Sequence, residues 1–294
     1  MIFRDISVRL SCAALCSAAV FGCSTIEVPV DEIPPEEPFG TPILTEADAP
    51  APDAETNAVT TVAATSAETN ALVFVDRPSP NFNERTSKVN TILLHYTAGD
   101  FAGSLRHLTN PLAKEPVSSH YLVDRDGTIY RLVDESKRAW HAGAGSWQDM
   151  TDINSASIGI EIVNCGRDTS GKRETYRWRQ ITSVIRLCQD IQSRHEIRWV
   201  LGHSDTGLGR KDDPGEHFPW RRLANAGVGI WTDGFEKPVL STRAMLSAIG
   251  YDVRDMSLAT VAFQRHFYPE AITSGGTRTK ERMAAVLKRI LDIR

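Results

Sequence analysis

The chain has 294 residues, 41% of them hydrophobic, 24% charged and 7% aromatic, with a formal net charge of −4. That length suggests about two domains, and that composition excludes wholesale disorder, a collagen and a polytopic membrane protein. The charge is uneven: residues 24–75 hold ten carboxylates and no Lys or Arg, residues 1–23 carry +1, and the remainder is +5. An excess that small does not argue for nucleic acid, though it suits an anionic substrate.

Arg4 and Arg9 lead into an apolar run from Leu10 to Phe21, too short for a membrane-spanning helix, which needs about 20 residues. A basic start followed by a short apolar core reads as a secretory signal over residues 1–23. Its end, Val20-Phe21-Gly22-Cys23, resembles a bacterial lipobox. That resemblance implies a lipid-modified, palmitate-bearing Cys23 as the mature N-terminus. Ser24 in the following position implies an outer-membrane lipoprotein facing the periplasm of a Gram-negative bacterium. Cys12 and Cys16 leave with the signal, so Cys165 and Cys188 remain, as a disulfide or as two buried thiols.

Residues 24–74 contain seven prolines and the ten acids, without sustained apolar periodicity, and are expected to form a disordered tether. As a flexible coil such a segment spans roughly 40 Å, a useful reach between an anchor and an ordered body. Residues 75–235 are expected to form the main folded body. Val89–Tyr96 is a buried-strand run, and 118–124 and 128–133 flank the hairpin signal Asp126-Gly127. Residues 157–163 alternate, with Ile158, Ile160 and Ile162 on one face and Gly159, Glu161 and Val163 on the other. Helical spacing of Ile181, Val184, Ile185, Cys188 and Ile191 predicts a helix over 176–195, and 197–202 is another strand running into His203. Strands and helices mingle without a regular repeat, so the fold class is α/β (α+β): a mixed central sheet with flanking helices. Three further helices, 241–249, 257–267 and 279–293, make a small C-terminal domain over 236–294. About sixty residues is marginal for independent stability, so this part should lean on the body.

Of eight histidines, His107, His195, His217 and His266 lie in polar or helical contexts and are expected to be surface or capping groups. His95 and His203 each end an apolar strand, where a buried imidazole needs a partner. Asp213 follows His203 by ten residues in a glycine-rich stretch. Two imidazoles and a carboxylate leave a fourth position open, as in catalytic rather than structural zinc sites, although no close motif such as HExxH is present.

The segments TILLHYTAG, VSSHYLVDRDGTIYRLV, AWHAGAGSW, SIGIEIVN and LGHSDTGLGRKDDPG, in this order, resemble zinc-dependent N-acetylmuramoyl-L-alanine amidases of the amidase-2 family, which share the fold of peptidoglycan recognition proteins. The likeness covers roughly residues 72–225. It implies one zinc ion per chain held by His95, His203 and Asp213, with Glu161 as general base and Lys211 as the group that stabilises the oxyanion. It places Trp140 and His141 beside the substrate cleft, gives His120 a structural role and makes Asp205 a loop hydrogen-bonder rather than a fourth ligand. The implied reaction is hydrolysis of the amide between N-acetylmuramic acid and L-alanine in peptidoglycan or its muropeptides. LSAIGYDV, ATVAFQRHFYP and RMAAVLKRI in the tail are similar to a peptidoglycan-binding type 1 module. The expected partners are peptidoglycan and, through the lipid, a membrane, with no nucleic acid and no obligate protein partner. Two alternatives stay open: a non-catalytic peptidoglycan receptor on the same fold, and a zinc peptidase or deacetylase acting elsewhere on the polymer.

Overall fold

The computed structural model describes residues 72–167 and 170–293; the expected signal, Cys23 and the tether through residue 71 lie outside the described residues. In chain order the elements are β1 (Phe74–Asp76), β2 (Phe82–Glu84), β3 (Thr91–Tyr96), α1 (Phe101–Thr109), β4 (Tyr121–Val123), β5 (Ile129–Arg131) and β6 (Lys137–Ala139). There follow α2 (Ile153–Ala156), β7 (Ser157–Ile162), α3 (Trp178–Arg194), β8 (Trp199–Gly202), α4 (His203–Thr206) and α5 (Trp220–Asn225). The chain ends with α6 (Thr242–Ile249), α7 (Met256–Phe267), α8 (Glu270–Thr273) and α9 (Thr279–Ile293). Ordered strand begins at Phe74, one residue inside the expected tether, and its ring packs 5.8 Å from Tyr121. None of the described helices is long and apolar enough to cross a membrane.

Six strands form one mixed sheet in the order β1-β5-β4-β7-β3-β8, and β2 and β6 form a separate antiparallel ribbon. The β4–β5 hairpin turns at Asp126-Gly127, where Gly127 takes φ +92° and Asp124 and Thr128 pair across the turn. The three strands β7, β3 and β8 run parallel, so their carboxyl ends share one edge.

Strand alternation sorts the core into two faces. Ile92, Leu94, Ile158, Ile160, Ile162 and Val200 point one way, onto Ile181, Val184, Ile185, Leu187, Cys188 and Ile191 of α3. Leu93, Trp199 and Leu201 point the other way. There they meet Trp147, Ile153 and the apolar stripes of the C-terminal helices, including Met245, Leu246, Ile249, Phe263, Met283, Val286 and Ile290. The last helices therefore share a core with the sheet. Each fully buried Leu, Ile or Phe there is worth about 1.5–3 kcal/mol, and a helical segment this short gains from borrowing the sheet's face. Its ends are defined locally. Ser241 and Asp255 cap α6 and α7 by accepting from backbone N–H groups. Gly250 ends α6 at φ +145°, where a Cβ would lie 2.4 Å from the Trp147 indole.

Candidate metal centre

Sheet register assembles the site. In the parallel pair β3–β7, His95 lies directly opposite Glu161. In the pair β3–β8, Leu94 lies opposite Gly202, so the next residue, His203, arrives beside His95 just as the strand gives way to the short turn α4. The chain then loops back: Gly207 and Lys211 donate N–H bonds to His203 O and Gly207 O, and the Ser204 N–H bonds Asp213 O at 2.9 Å. That last bond ties the backbones of His203 and Asp213 together.

The side chains converge accordingly. His95 Nδ1 and His203 Nδ1 are 2.9 Å apart, and each is 3.1 Å from Asp213 Oδ2. All three residues are buried. His203 Nε2 donates to Ala142 O at 2.8 Å, which in the neutral ring leaves Nδ1 as a bare lone pair. A lone pair aimed at a carboxylate oxygen and a second ring nitrogen is repulsive unless a cation sits among them. The donor set therefore fits a metal ion, and His95, His203 and Asp213 are the buried His/Asp group that could hold one among the described residues. Their charge states suit it. Burial and the neighbouring His203 push His95 down to about 4. Burial alone would raise Asp213, but the two imidazoles outweigh it and hold the carboxyl well below its ordinary range. Near neutral pH His95 is thus neutral and Asp213 ionised, the forms that bind metal.

Glu161 projects from the same face of the sheet as His95. The residue is half-buried, yet its Oε2 is sealed from solvent and has no hydrogen-bond partner. Burial and the adjacent Asp213 raise its carboxyl to about 8, with Lys211 pulling the other way. Lys211 itself is exposed, at the rim of the group. His141 is buried behind His95, its Nδ1 3.1 Å from His95 Nε2. Its own N–H and that of Ala142 are both fixed by Asn154 Oδ1 of α2. Gly159 of β7 passes directly beneath the His141 ring, where a Cβ would lie 2.5 Å from Cγ. Trp140 is not brought into this group: its indole N–H bonds Asn83 Oδ1 at 2.7 Å, beside the β2–β6 ribbon.

The remaining histidines divide. His120 Nδ1 accepts the Gly159 N–H at 2.9 Å and braces β4 against β7. His195 caps α3 and pairs with Glu135 at 2.7 Å, while His107 and His217 are exposed. His266 corrects the expectation of a surface or capping group. It is 2% exposed, stacks on Trp220 at 3.7 Å and donates from Nδ1 to Asp205 Oδ2 at 2.7 Å. Sequence reasoning also missed Asn154 and Tyr251, whose hydroxyl donates to Asp205 Oδ1 at 2.6 Å. A signal for His266 was present: it falls within the buried stripe Ala259, Ala262, Phe263 and Phe267 of α7. Among the described residues no disulfide joins Cys165 and Cys188; Cys188 packs in the α3 core.

Two imidazole donors, a carboxylate and a second carboxyl at the carboxyl edge of a mixed sheet suit metal-assisted hydrolysis as a class. Comparison with known proteins narrows that class. Residues 85–216 match the N-acetylmuramoyl-L-alanine amidase family, Amidase_2. The chain is 37% identical over 213 residues to the N-acetylmuramoyl-L-alanine amidase AmiD of Escherichia coli, an alignment covering 62% of this chain and 76% of that one. It is 36% identical over 127 residues to the 1,6-anhydro-N-acetylmuramyl-L-alanine amidase AmpD of the same organism, covering 42% and 67%. Among solved structures, E. coli AmiD in complex with anhydro-N-acetylmuramic acid-L-Ala-D-gamma-Glu-L-Lys superposes with a TM-score of 0.59 at 32% identity, covering 72% of this chain and 92% of that one. Pseudomonas aeruginosa AmpDH3 with anhydromuramic pentapeptide gives 0.58 at 31%, covering 74% and 95%. The chain belongs to the N-acetylmuramoyl-L-alanine amidase family.

Proposed function

We propose that the chain hydrolyses the amide joining the lactyl carbonyl of N-acetylmuramic acid to L-alanine, in peptidoglycan or its muropeptides, with one zinc ion at His95, His203 and Asp213. The observation that carries this reading is the convergence of three metal-binding atoms with a carboxylate oxygen that nothing else satisfies, directly across the sheet register from His95. Bound zinc supplies Lewis acidity, polarising the carbonyl and lowering the pKa of an attacking water. Glu161 takes the water's proton and later returns it to the leaving amine, a role worth about 10²–10⁴ in rate. Its carboxyl is suited to this. Burial and Asp213 raise it and Lys211 limits the rise, which leaves it at about 8, close enough to neutrality for one group to accept and give up a proton. Lys211, at the rim, holds the oxyanion that develops at the carbonyl. His141 keeps the His95 ring in place from behind, and Trp140 lines the approach for the sugar.

The wider setting is part of the same proposal. Residues 1–23 export the chain, Cys23 carries the lipid, and the acidic tether lets an outer-membrane anchor reach peptidoglycan from the periplasmic side. The lipobox-like Val20-Phe21-Gly22-Cys23 and the prolines beyond it support this. Helices α6–α9 add a peptidoglycan-contacting surface, supported by the likeness of their sequence to a binding module. The test is a digest of defined muropeptides followed by mass spectrometry. Intact stem peptides with peptide-free sugars are expected. Shortened stems or lost acetate would make the chain a peptidase or deacetylase, and binding without cleavage in the presence of zinc would make it a receptor.

A further inference from the structure

Asp205 is fully buried, and a carboxylate in that position is tolerable only when donors surround it. Three do. Gly202 N–H reaches Oδ2 at 2.8 Å, His266 Nδ1–H reaches Oδ2 at 2.7 Å, and the Tyr251 hydroxyl reaches Oδ1 at 2.6 Å. The first bond closes the turn α4 onto the end of β8, immediately before His203. The other two come from the C-terminal helical segment, some fifty residues further along the chain. We propose that Tyr251 and His266 are positioning residues for the metal centre, acting through Asp205 on the turn that presents His203.

Each link in the chain is a hydrogen bond of 2.8–2.9 Å. Asp205 holds the backbone at Gly202; the Asp213 carbonyl holds Ser204 N–H; the Ala142 carbonyl holds the far nitrogen of the His203 ring. His203 is thus fixed on both sides and at its ring, and Asp205 is the member of that frame anchored from outside the catalytic body. The anchors are themselves held by aromatic packing. His266 lies between Trp220 and Phe267, with centroids at 3.7 and 3.8 Å, and Tyr251 meets Trp147 edge-on at 4.9 Å. The His266 Nε2 is sealed from solvent with no partner, so the ring keeps its proton on Nδ1, aimed at Asp205, and leaves its other nitrogen unbonded. Partners that orient metal ligands typically change metal affinity by about 10–100-fold when removed.

This inference rests on His203 being a zinc ligand, and the experiment separates the two. Zinc dissociation constants would be measured in the full chain by chelator competition, alongside the visible spectrum of the cobalt-substituted protein and the melting temperature of the metal-free form. Tyr251→Phe keeps the ring and its contact with Trp147 and removes only the donor. It should weaken zinc about tenfold or more and alter the cobalt bands. His266→Ala should do the same, and His266→Asn, whose amide N–H can take the place of Nδ1, should recover part of the affinity. Val286→Ala in α9, a core change at a side chain that makes no hydrogen bond to Asp205, should lower the melting temperature while binding zinc as the wild type does. If Tyr251→Phe and His266→Ala melt earlier yet keep wild-type zinc affinity and cobalt spectrum, the contacts only fasten the helices and the proposal is overturned. It is overturned equally if Val286→Ala weakens zinc as much as they do. A wild-type chain that takes up no stoichiometric zinc refutes the metal reading itself, and this inference with it.

Discussion

Replacing Glu161 with Gln preserves the side chain's shape while removing its charge and its proton chemistry, and the structure predicts two separate effects. The first is on stability without metal. Glu161 sits at about 8 in the fold against an ordinary 4.5, so the unfolded chain ionises first. Unfolding then releases a proton between these values, and the folded state loses stability as pH rises through that window. A gap of that size corresponds to about 5 kcal/mol at its upper limit; because the residue is only half-buried, about 1–3 kcal/mol is the working expectation. Metal-free Glu161→Gln escapes this loss. It should melt close to the wild type at pH 4.5 and several degrees above it at pH 8. The second effect is on catalysis: with zinc, turnover of a soluble muropeptide should fall about 10²–10⁴-fold, in kcat rather than KM, with zinc content unchanged. Thermal melts of the metal-free pair across pH 4.5–8 and steady-state kinetics of the loaded pair measure both. A melting difference that does not grow with pH would show that Oε2 is solvated or partnered in solution. Near-wild-type turnover would remove Glu161 as the base.

Other outcomes follow from the same geometry. His203→Ala should abolish stoichiometric zinc and activity together; metal analysis showing retained zinc would strike His203 from the ligand set. Gly159→Ala places a methyl group 2.5 Å from the His141 ring, which must move and disturb His95 behind the metal. It should lower stability by about 1–3 kcal/mol and weaken zinc, and unchanged melting and metal affinity would contradict the packing described. Cys23→Ala should release the protein from membranes with its soluble activity intact, and continued membrane fractionation would point to another anchor.

The strands that build the centre were legible because their apolar signals are long enough to carry a period. β3 is a six-residue run buried along most of its length, and β7 alternates so cleanly that Glu161 could be assigned to the face away from its isoleucines. The helices α3, α6, α7 and α9 were placed within two residues at either end. The strands β1, β2 and β6 have three residues each, too few for alternation to register. The helix α1 was missed because it buries only Ser104 and Leu108, a stripe too thin to stand out. The site divides in the same way. Its two imidazoles end strong apolar runs, whereas Asn154 and Tyr251 act through hydrogen bonds across tertiary contacts. No local pattern announces such bonds.

The sharing of one core between the sheet and the last helices has a consequence for a chain made from its N-terminus. By the time Asp213 has been synthesised, every residue assigned to the chemistry exists. Yet the face bearing Leu93, Trp199 and Leu201 has only Ala142, Trp147 and Ile153 against it, because the rest of its cover lies between residues 245 and 290. A product that stops early, or is clipped between α5 and α6 and loses its tail, is left with an open apolar surface and an Asp205 lacking two of its three donors. Such a fragment would be drawn into aggregation before it could act. Completion of the chain is what covers that face and gives Asp205 its full set of donors.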